Sequence, residues 1–321
     1  MADLAVNIAG LSLPHPLVLG SGPISIRAAD LLAFGEVASA IVTKSISAKP
    51  SRGSPKPRIA KSDHDGMINY EGGPNPGIDA VERTLKQVCP RIPCPIIGSV
   101  SPRTLTYASG IEHVVEKFVS GGVRAIELDF KYLYDQAKGR SDFRGGDMSA
   151  IIKRVRAVAD IPVIAKLAYG SIDLAELAHA AEDGGAAAIS AINTVFPAMR
   201  ISLRTRRPLL SMSYGGLSGA PIRPLAVAAI FRLREVSALP LIGIGGVYTG
   251  EDVVEFVLAG ATAVQVYTAA QLQGPAIFRK LHTELGEVLS RMGAASISEL
   301  IGAAHGHAKP VEDRQWDAIG P

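Results

Sequence analysis

Cysteine is almost missing from this sequence: among 321 residues only Cys89 and Cys94 occur, flanking "PRIP". Two thiols cannot frame an iron–sulfur cluster or a structural zinc site within the chain, and they read as ordinary cysteines of a cytosolic protein. An excess of one charge is missing too. The 33 Lys+Arg stand against 30 Asp+Glu, a formal net charge of +3, too even for a polyanion-binding surface, so no nucleic-acid partner is expected. The one basic cluster, Arg200, Arg204, Arg206 and Arg207, reads as a solvated loop. No apolar run reaches the length of a membrane span. The opening stretch, "MADLAVNIAGLSLPHPLVLG", has no basic leader and is interrupted by Asp3, Asn7, Pro14 and Pro16. A cytoplasmic protein without a membrane partner is the expectation. The histidine-bearing metal candidates are "DHD" (63–65), one histidine between two aspartates, and "HGH" (305–307); the first reads as solvated charge in a polar loop and the second as tail, and no metal site is assigned.

Present in quantity are apolar residues, at 47%, with 33 Gly and 21 Pro, the composition of a turn-rich globular chain. Short β-rich runs alternate with helix-patterned stretches from end to end. The strand candidates are "LVLG" (17–20), "AIVTK" (40–44), "PIIGSV" (95–100), "AIELD" (125–129), "PVIAKL" (162–167), "AAAIS" (186–190), "PLIGIGG" (240–246) and "AVQVY" (263–267). Between them, segments such as 104–122, 147–160, 171–185 and 249–261 carry apolar residues at helical spacing. Asp147, Ser171 and Thr249 read as N-caps, and paired glycines close two of these segments. Eight strand–helix units predict a (β/α)8 TIM barrel spanning 1–321 as one domain, with 302–321 as a C-terminal tail and the chemistry at the C-terminal ends of the strands. Two connections, 45–76 after the second strand and 191–222 after the sixth, are too long for plain βα loops and are expected to carry function on that face.

The glycine-rich turn "IGIGGVYTG" (242–250), followed by "AGATAVQVYTA" (259–269), falls where the barrel fold recurrently binds phosphate, after strands seven and eight. A second cluster, "DFKYLY" (129–134), crowds polar groups where the fourth strand runs out.

At this point the sequence resembles a known family. "VTKSISAKPSRGSPKPR" (42–58), "INYEGGPNPG" (68–77), "AKL" (165–167), "INT" (192–194), "GGLSG" (215–219) and "LIGIGGVYTGEDVVEFVLAGA" (241–261) occur in the order seen in the soluble dihydroorotate dehydrogenases. The resemblance implies an FMN-containing barrel and a homodimer. It places Lys44 and Ser45 against the flavin and its ribityl chain, Lys166 near the flavin N1/O2 edge, Ser21 and Gly22 near the ring, and Gly245, Gly246 and Thr268 on the phosphate. Gly216 and Tyr267 join this cofactor set, although Tyr267 stands where the family has glycine. A cation beside the flavin stabilises the negative charge of its reduced form.

On the substrate side the resemblance keeps Asn69 and Asn193, with Thr194 beside the second. Elsewhere the chain departs from it: "ELDFKYLY" (127–134) replaces the family's "ELNLSCPN". Asp129 and Tyr134 stand where asparagines are expected, Lys131 replaces a serine, and Tyr132 stands in the place of the catalytic cysteine. Glu71 and Gly73 also depart from the family loop, and with Gly72 they belong to a stretch whose backbone N–H groups suit an anion. A phenol is a poor base at neutral pH but a suitable proton donor, which makes Tyr132 and Lys131 the acid/base candidates. Asp129 with Glu71 would suit an amine or amidine-like group.

The leading expectation is an FMN-dependent oxidoreductase moving hydride between flavin N5 and a small polar substrate other than dihydroorotate, carboxylated or amine-bearing, with an electron partner the sequence leaves open. Beside it stand dihydroorotate oxidation with an unusual base, a catalytically silent flavin-binding partner subunit, and a phosphate-binding lyase or isomerase without flavin.

Overall fold

Each of the eight apolar runs forms a strand, because a run buried on both faces suits a parallel sheet covered by helices. In this computed structural model, which describes residues 2–100, 110–130, 145–170 and 173–307, they are β1 (Leu17–Leu19), β2 (Ala40–Val42), β3 (Ile96–Val100), β4 (Ala125–Asp129), β5 (Val163–Leu167), β6 (Ala188–Ala191), β7 (Leu241–Ile244) and β8 (Ala263–Val266). Every strand pairs in parallel with its neighbours in sequence, and β8 returns to β1 through Val264–Leu17 and Gln265–Val18, closing a (β/α)8 TIM barrel. Where helices press closest, the strands carry glycine. A side chain at Gly98 would meet the Phe118 ring at 2.7 Å, and one at Gly243 would meet Phe256 at 2.3 Å. Both rings are fully buried, so glycine in the strand and phenylalanine on the helix make one interdigitated layer.

Thr249 caps the helix Gly250–Leu258 in a reciprocal box with Asp252, as its sequence suggests. Asp147 does not cap: the helix begins at Gly145, which leaves Asp147 in its first turn, where a carboxylate still favours the helix dipole. Ser171 lies outside the described residues, and the cap of the next helix is Asp173, whose carboxylate accepts the Ala175 N–H at 3.1 Å. The two glycine pairs end their helices as expected, with Gly121 and the left-handed Gly185 at the C-caps.

The two long connections fold together. Ile59–Lys61 and Gly66–Asn69 from the first, with Gly215–Gly219 and Val195–Ala198 from the second, form one four-stranded antiparallel sheet. Its central register pairs Asn69 with Gly216 and Met67 with Ser218. Segments far apart in the chain thus make one structure after the second and sixth strands. Further along, His305 stacks on Phe231 with ring centroids 3.8 Å apart, and its Nε2 lies 3.1 Å from the Ala259 carbonyl, so the chain is folded through His307.

Candidate active site

One cavity opens between the C-terminal strand ends and this sheet. It is lined by Ser21 and Gly22 after β1, Lys44 and Ser45 after β2, Asp129 ending β4, Lys166 in β5, Asn193 and Thr194 after β6, Gly245 and Gly246 after β7, and Tyr267 and Thr268 after β8. The long connection after β2 adds Asn69, Glu71 and Gly72. These were the positions expected from the sequence, and the barrel brings them together. Gly216 stands apart: it is buried in the roof sheet opposite Asn69, whose Nδ2 donates to its carbonyl at 3.4 Å, while its neighbour Ser218 lines the cavity instead. Lys131, Tyr132 and Tyr134 lie outside the described residues.

Charge inside the barrel is arranged in pairs. Glu127, fully buried, faces the Lys166 ammonium at 3.3 Å through Oε1, without the alignment of a hydrogen bond. Its Oε2 accepts from Ser190 Oγ at 3.0 Å and Gln265 Nε2 at 2.5 Å. Asp129 accepts both hydrogen bonds of the Asn193 amide, at 2.8 and 2.9 Å, and Asn193 Oδ1 in turn accepts the Thr194 N–H at 2.7 Å. Lys44 donates to Glu71 Oε2 at 2.9 Å. Ser45 links Ser99 at 2.9 Å to Ser21 at 3.4 Å.

Sequence reasoning missed Glu127, Gln265 and Ser218. The signal for the first two was in the strands themselves: one polar residue in the middle of "AIELD" and of "AVQVY" is out of place in an apolar run unless it faces the barrel interior. Ser218, which accepts from Thr268 Oγ1 at 3.0 Å, had no such signal, since its position depends on the roof sheet.

Tyr267 resolves its own oddity. Its ring lies where a Gly22 side chain would be, with Cζ 2.0 Å from that Cβ position, and its hydroxyl accepts the Ile24 N–H at 3.3 Å. Burial, helped by the charges of Glu71 and Asp30, pushes this phenol well above the ordinary tyrosine range, against the Ile24 hydrogen bond. It is therefore a neutral wall between β8 and the β1 loop. The cysteines sit elsewhere, and burial pushes the Cys94 thiol up to about 12, far from a nucleophile's range.

Whether these residues fit a flavin phosphate can be read from the backbone. Gly245 and Gly246 adopt φ of +133° and +78°, and a side chain at Gly246 would meet the Gly219 carbonyl at 2.9 Å, so the turn leaves bare backbone beside Thr268. Gln265 Oε1, on the cavity wall, is buried with no hydrogen-bond partner among the described residues. An acceptor left open and a glycine cradle both fit a nucleotide-like group carrying N–H donors and a phosphate.

Comparison with known proteins agrees with that geometry. The family described as dihydroorotate dehydrogenase matches residues 3–289. The chain belongs to the dihydroorotate dehydrogenase family. It is 37% identical over 307 residues to the protein named dihydroorotate dehydrogenase B (NAD(+)), catalytic subunit, of Desulforudis audaxviator, covering 94% of this chain and 97% of that one. It is 35% identical over 309 residues to dihydroorotate dehydrogenase A (fumarate) of Lactobacillus delbrueckii subsp. bulgaricus, covering 94% and 98%. The fold is shared with the dihydroorotate dehydrogenase of Eimeria tenella solved with ferulenol, at a TM-score of 0.78 and 22% identity over 94% of this chain and 89% of that one. Dihydroorotate dehydrogenases use FMN, and membership makes this chain an FMN-dependent oxidoreductase acting on CH–CH groups. No helix among the described residues is long and apolar enough to cross a membrane.

Proposed function

We propose that the chain oxidises dihydroorotate at a CH–CH bond. The observation that carries this reading is the gathering of Asn69, Asn193, Thr194, Lys44 and Lys166 around one cavity, in a chain alike over 94% of its length to proteins named for that reaction. Oxidation removes a hydride from one carbon and a proton from its neighbour, and leaves a C=C bond. FMN, when bound, supplies the acceptor for the hydride and its electron pair.

The chain's own residues then divide the work. Gly245, Gly246 and Thr268 would hold the FMN phosphate, while Lys166 and Gln265 would meet the ring edge. Lys166 keeps a positive charge close to where reduction places negative charge, and Glu127 fixes its position. Asn69 offers an amide donor and acceptor to the substrate ring, while Asn193 holds the Asp129 carboxylate beside it. The proton falls to Tyr132, which the resemblance sets in the place of the family's cysteine, or to Lys131 beside it, in the place of a serine. The catalytic-subunit name of the Desulforudis relative supports a separate subunit that takes the electrons onward.

One observation favours a second reading, another small polar substrate. Asp129, where the resemblance expects asparagine, is locked by two hydrogen bonds to Asn193, and a carboxylate there selects for an N–H donor on the substrate.

The test is the anaerobic absorbance spectrum of purified enzyme before and after addition of dihydroorotate. Bleaching of the flavin bands is expected, and in Tyr132→Phe it should slow by about 10²- to 10⁴-fold with flavin retained. Bands that persist in the native enzyme would remove dihydroorotate and move the search to amine donors.

A further inference from the structure

The cavity wall carries a carboxylate paired with a lysine. Glu71 Oε2 sits 2.9 Å from Lys44 Nζ, and both side chains are largely shielded, at 14% and 13% exposure. Neither end of the pair is on a loose surface arm. Lys44 follows β2, with its N–H donated to the Ser25 carbonyl at 3.1 Å. Glu71 is held through its main chain: its carbonyl accepts the Ser54 N–H at 2.8 Å, and the preceding Tyr70 N–H is donated to Arg58 at 2.8 Å. Beyond it, Asn75 exchanges two backbone hydrogen bonds with Ser51, and its side chain ties Ser47, Gly73 and Gly77 together. The carboxylate is therefore delivered to the lysine by an ordered loop.

The other lining lysine is no freer. Lys166 has Glu127 behind it, and Asp129 adds a further carboxylate to the same wall. Among the described residues, a ligand bearing a carboxylate thus meets two lysines that already have carboxylate partners, and to reach Lys44 it has to take the place of Glu71 or share the ammonium with it. Two carboxylates at one ammonium repel each other, and the arriving one also loses its water. A ring without a carboxylate meets no such competition.

We propose that Glu71 is the specificity-determining residue of this site, an internal anion paired with Lys44 that disfavours a second carboxylate at that lysine. This rests on the reading of the cavity as the substrate site, but it does not require that dihydroorotate be the substrate.

The experiment is a spectral titration of the FMN-bound enzyme with orotate and with uracil, the same ring without the carboxylate, in the native protein, Glu71→Gln and Glu71→Ala. Losing the charge of Glu71 is expected to tighten orotate binding by about ten- to a hundredfold, since close charge pairs at binding sites couple with that order of energy, and to leave uracil unchanged. Glu71→Ala guards against an amide oxygen still holding Lys44 and should show the same ordering. Orotate affinity that is unchanged or weaker in both variants overturns the proposal, as does absence of orotate binding throughout. An equal gain for uracil also overturns it, because space and not charge would then be responsible. Should dihydroorotate fail to bleach the native flavin while the orotate gain persists, the substrate assignment falls and the role of Glu71 stands.

Discussion

Two lysine–glutamate pairs bring a lysine to the same cavity, one pair with its acid on the wall and one with its acid buried behind it, and they do different work. Lys166 and Glu127 stand on adjacent strands, β5 and β4, at 6% and 0% side-chain exposure, with Ser190 and Gln265 filling the second oxygen of the acid. Lys44 and Glu71 bridge a strand end and a long connection, at 13% and 14% exposure, joined by a single hydrogen bond. The inner pair is fixed by the barrel on every side. The outer pair is fixed at its backbones, but its charged tips face the cavity, where a ligand can intervene. Burial with one oxygen hydrogen-bonded twice and the other facing an ammonium makes a charge part of the scaffold, and a charge at a cavity wall becomes a means of selection.

The largest effect expected is on the inner pair. Glu127→Ala would leave the Lys166 ammonium buried without its partner and should lower stability by about 3–5 kcal/mol, read by chemical denaturation. Replacing both together, Glu127→Leu with Lys166→Met, is expected to cost less than the single change, because no uncompensated charge remains. A single substitution costing no more than the double would mean that Glu127 and Lys166 are not an ion pair in the working protein.

A third glutamate extends the comparison to the helical shell. Glu82, on the helix Ile78–Val88, accepts from Lys86 at 2.7 Å and from Lys117 and Ser120 at 2.9 Å. The Lys86 hydrogen bond first, then those from Lys117 and Ser120, bring its carboxyl from 4.5 down to about 2. Because the folded value lies below the unfolded one, the stabilisation is complete above pH 4.5 and is lost as pH falls from there toward about 2. Stability measured across that window should fall less steeply in Glu82→Gln than in the native chain. Parallel curves would show that Glu82 gains nothing from its three donors.

How much of this was legible in the sequence follows from the same distinction. The eight strands could be read directly, since runs such as "PVIAKL" and "AIELD" leave no other home for so many buried apolar side chains. That Lys44, Lys166, Gly245 and Gly246 line one cavity was legible because they stand at strand ends, where the barrel fixes position. What could not be read was any pairing that depends on two distant connections meeting. The roof sheet joins 59–69 to 195–219, and no local pattern announces that Asn69 faces Gly216, or that Ser218 rather than Gly216 reaches the cavity. Glu71 was visible as a departure in its loop, but its lysine partner was not, because an ion pair is a property of two backbones and the sequence describes them one at a time. Tyr267 read as an obstacle for the same reason: that Gly22 makes room for its ring is a fact about the β1 and β8 ends together.

The smallest expected effect separates the two pairs most sharply. In Glu71→Gln the amide oxygen can still accept from Lys44, the partly exposed ammonium can recruit water, and the loop keeps its backbone hydrogen bonds. Stability should therefore change by less than about 1 kcal/mol, the usual scale for an ion pair reached by solvent, and thermal unfolding of the two proteins side by side reads it. A loss as large as that of Glu127→Ala would place Glu71 in the scaffold with Glu127, and the division between a structural pair and a selective one would collapse. A near-silent change in stability would leave ligand choice as the property that Glu71 controls, since a charge held so close to Lys44 that does little for the fold acts chiefly on what enters beside it.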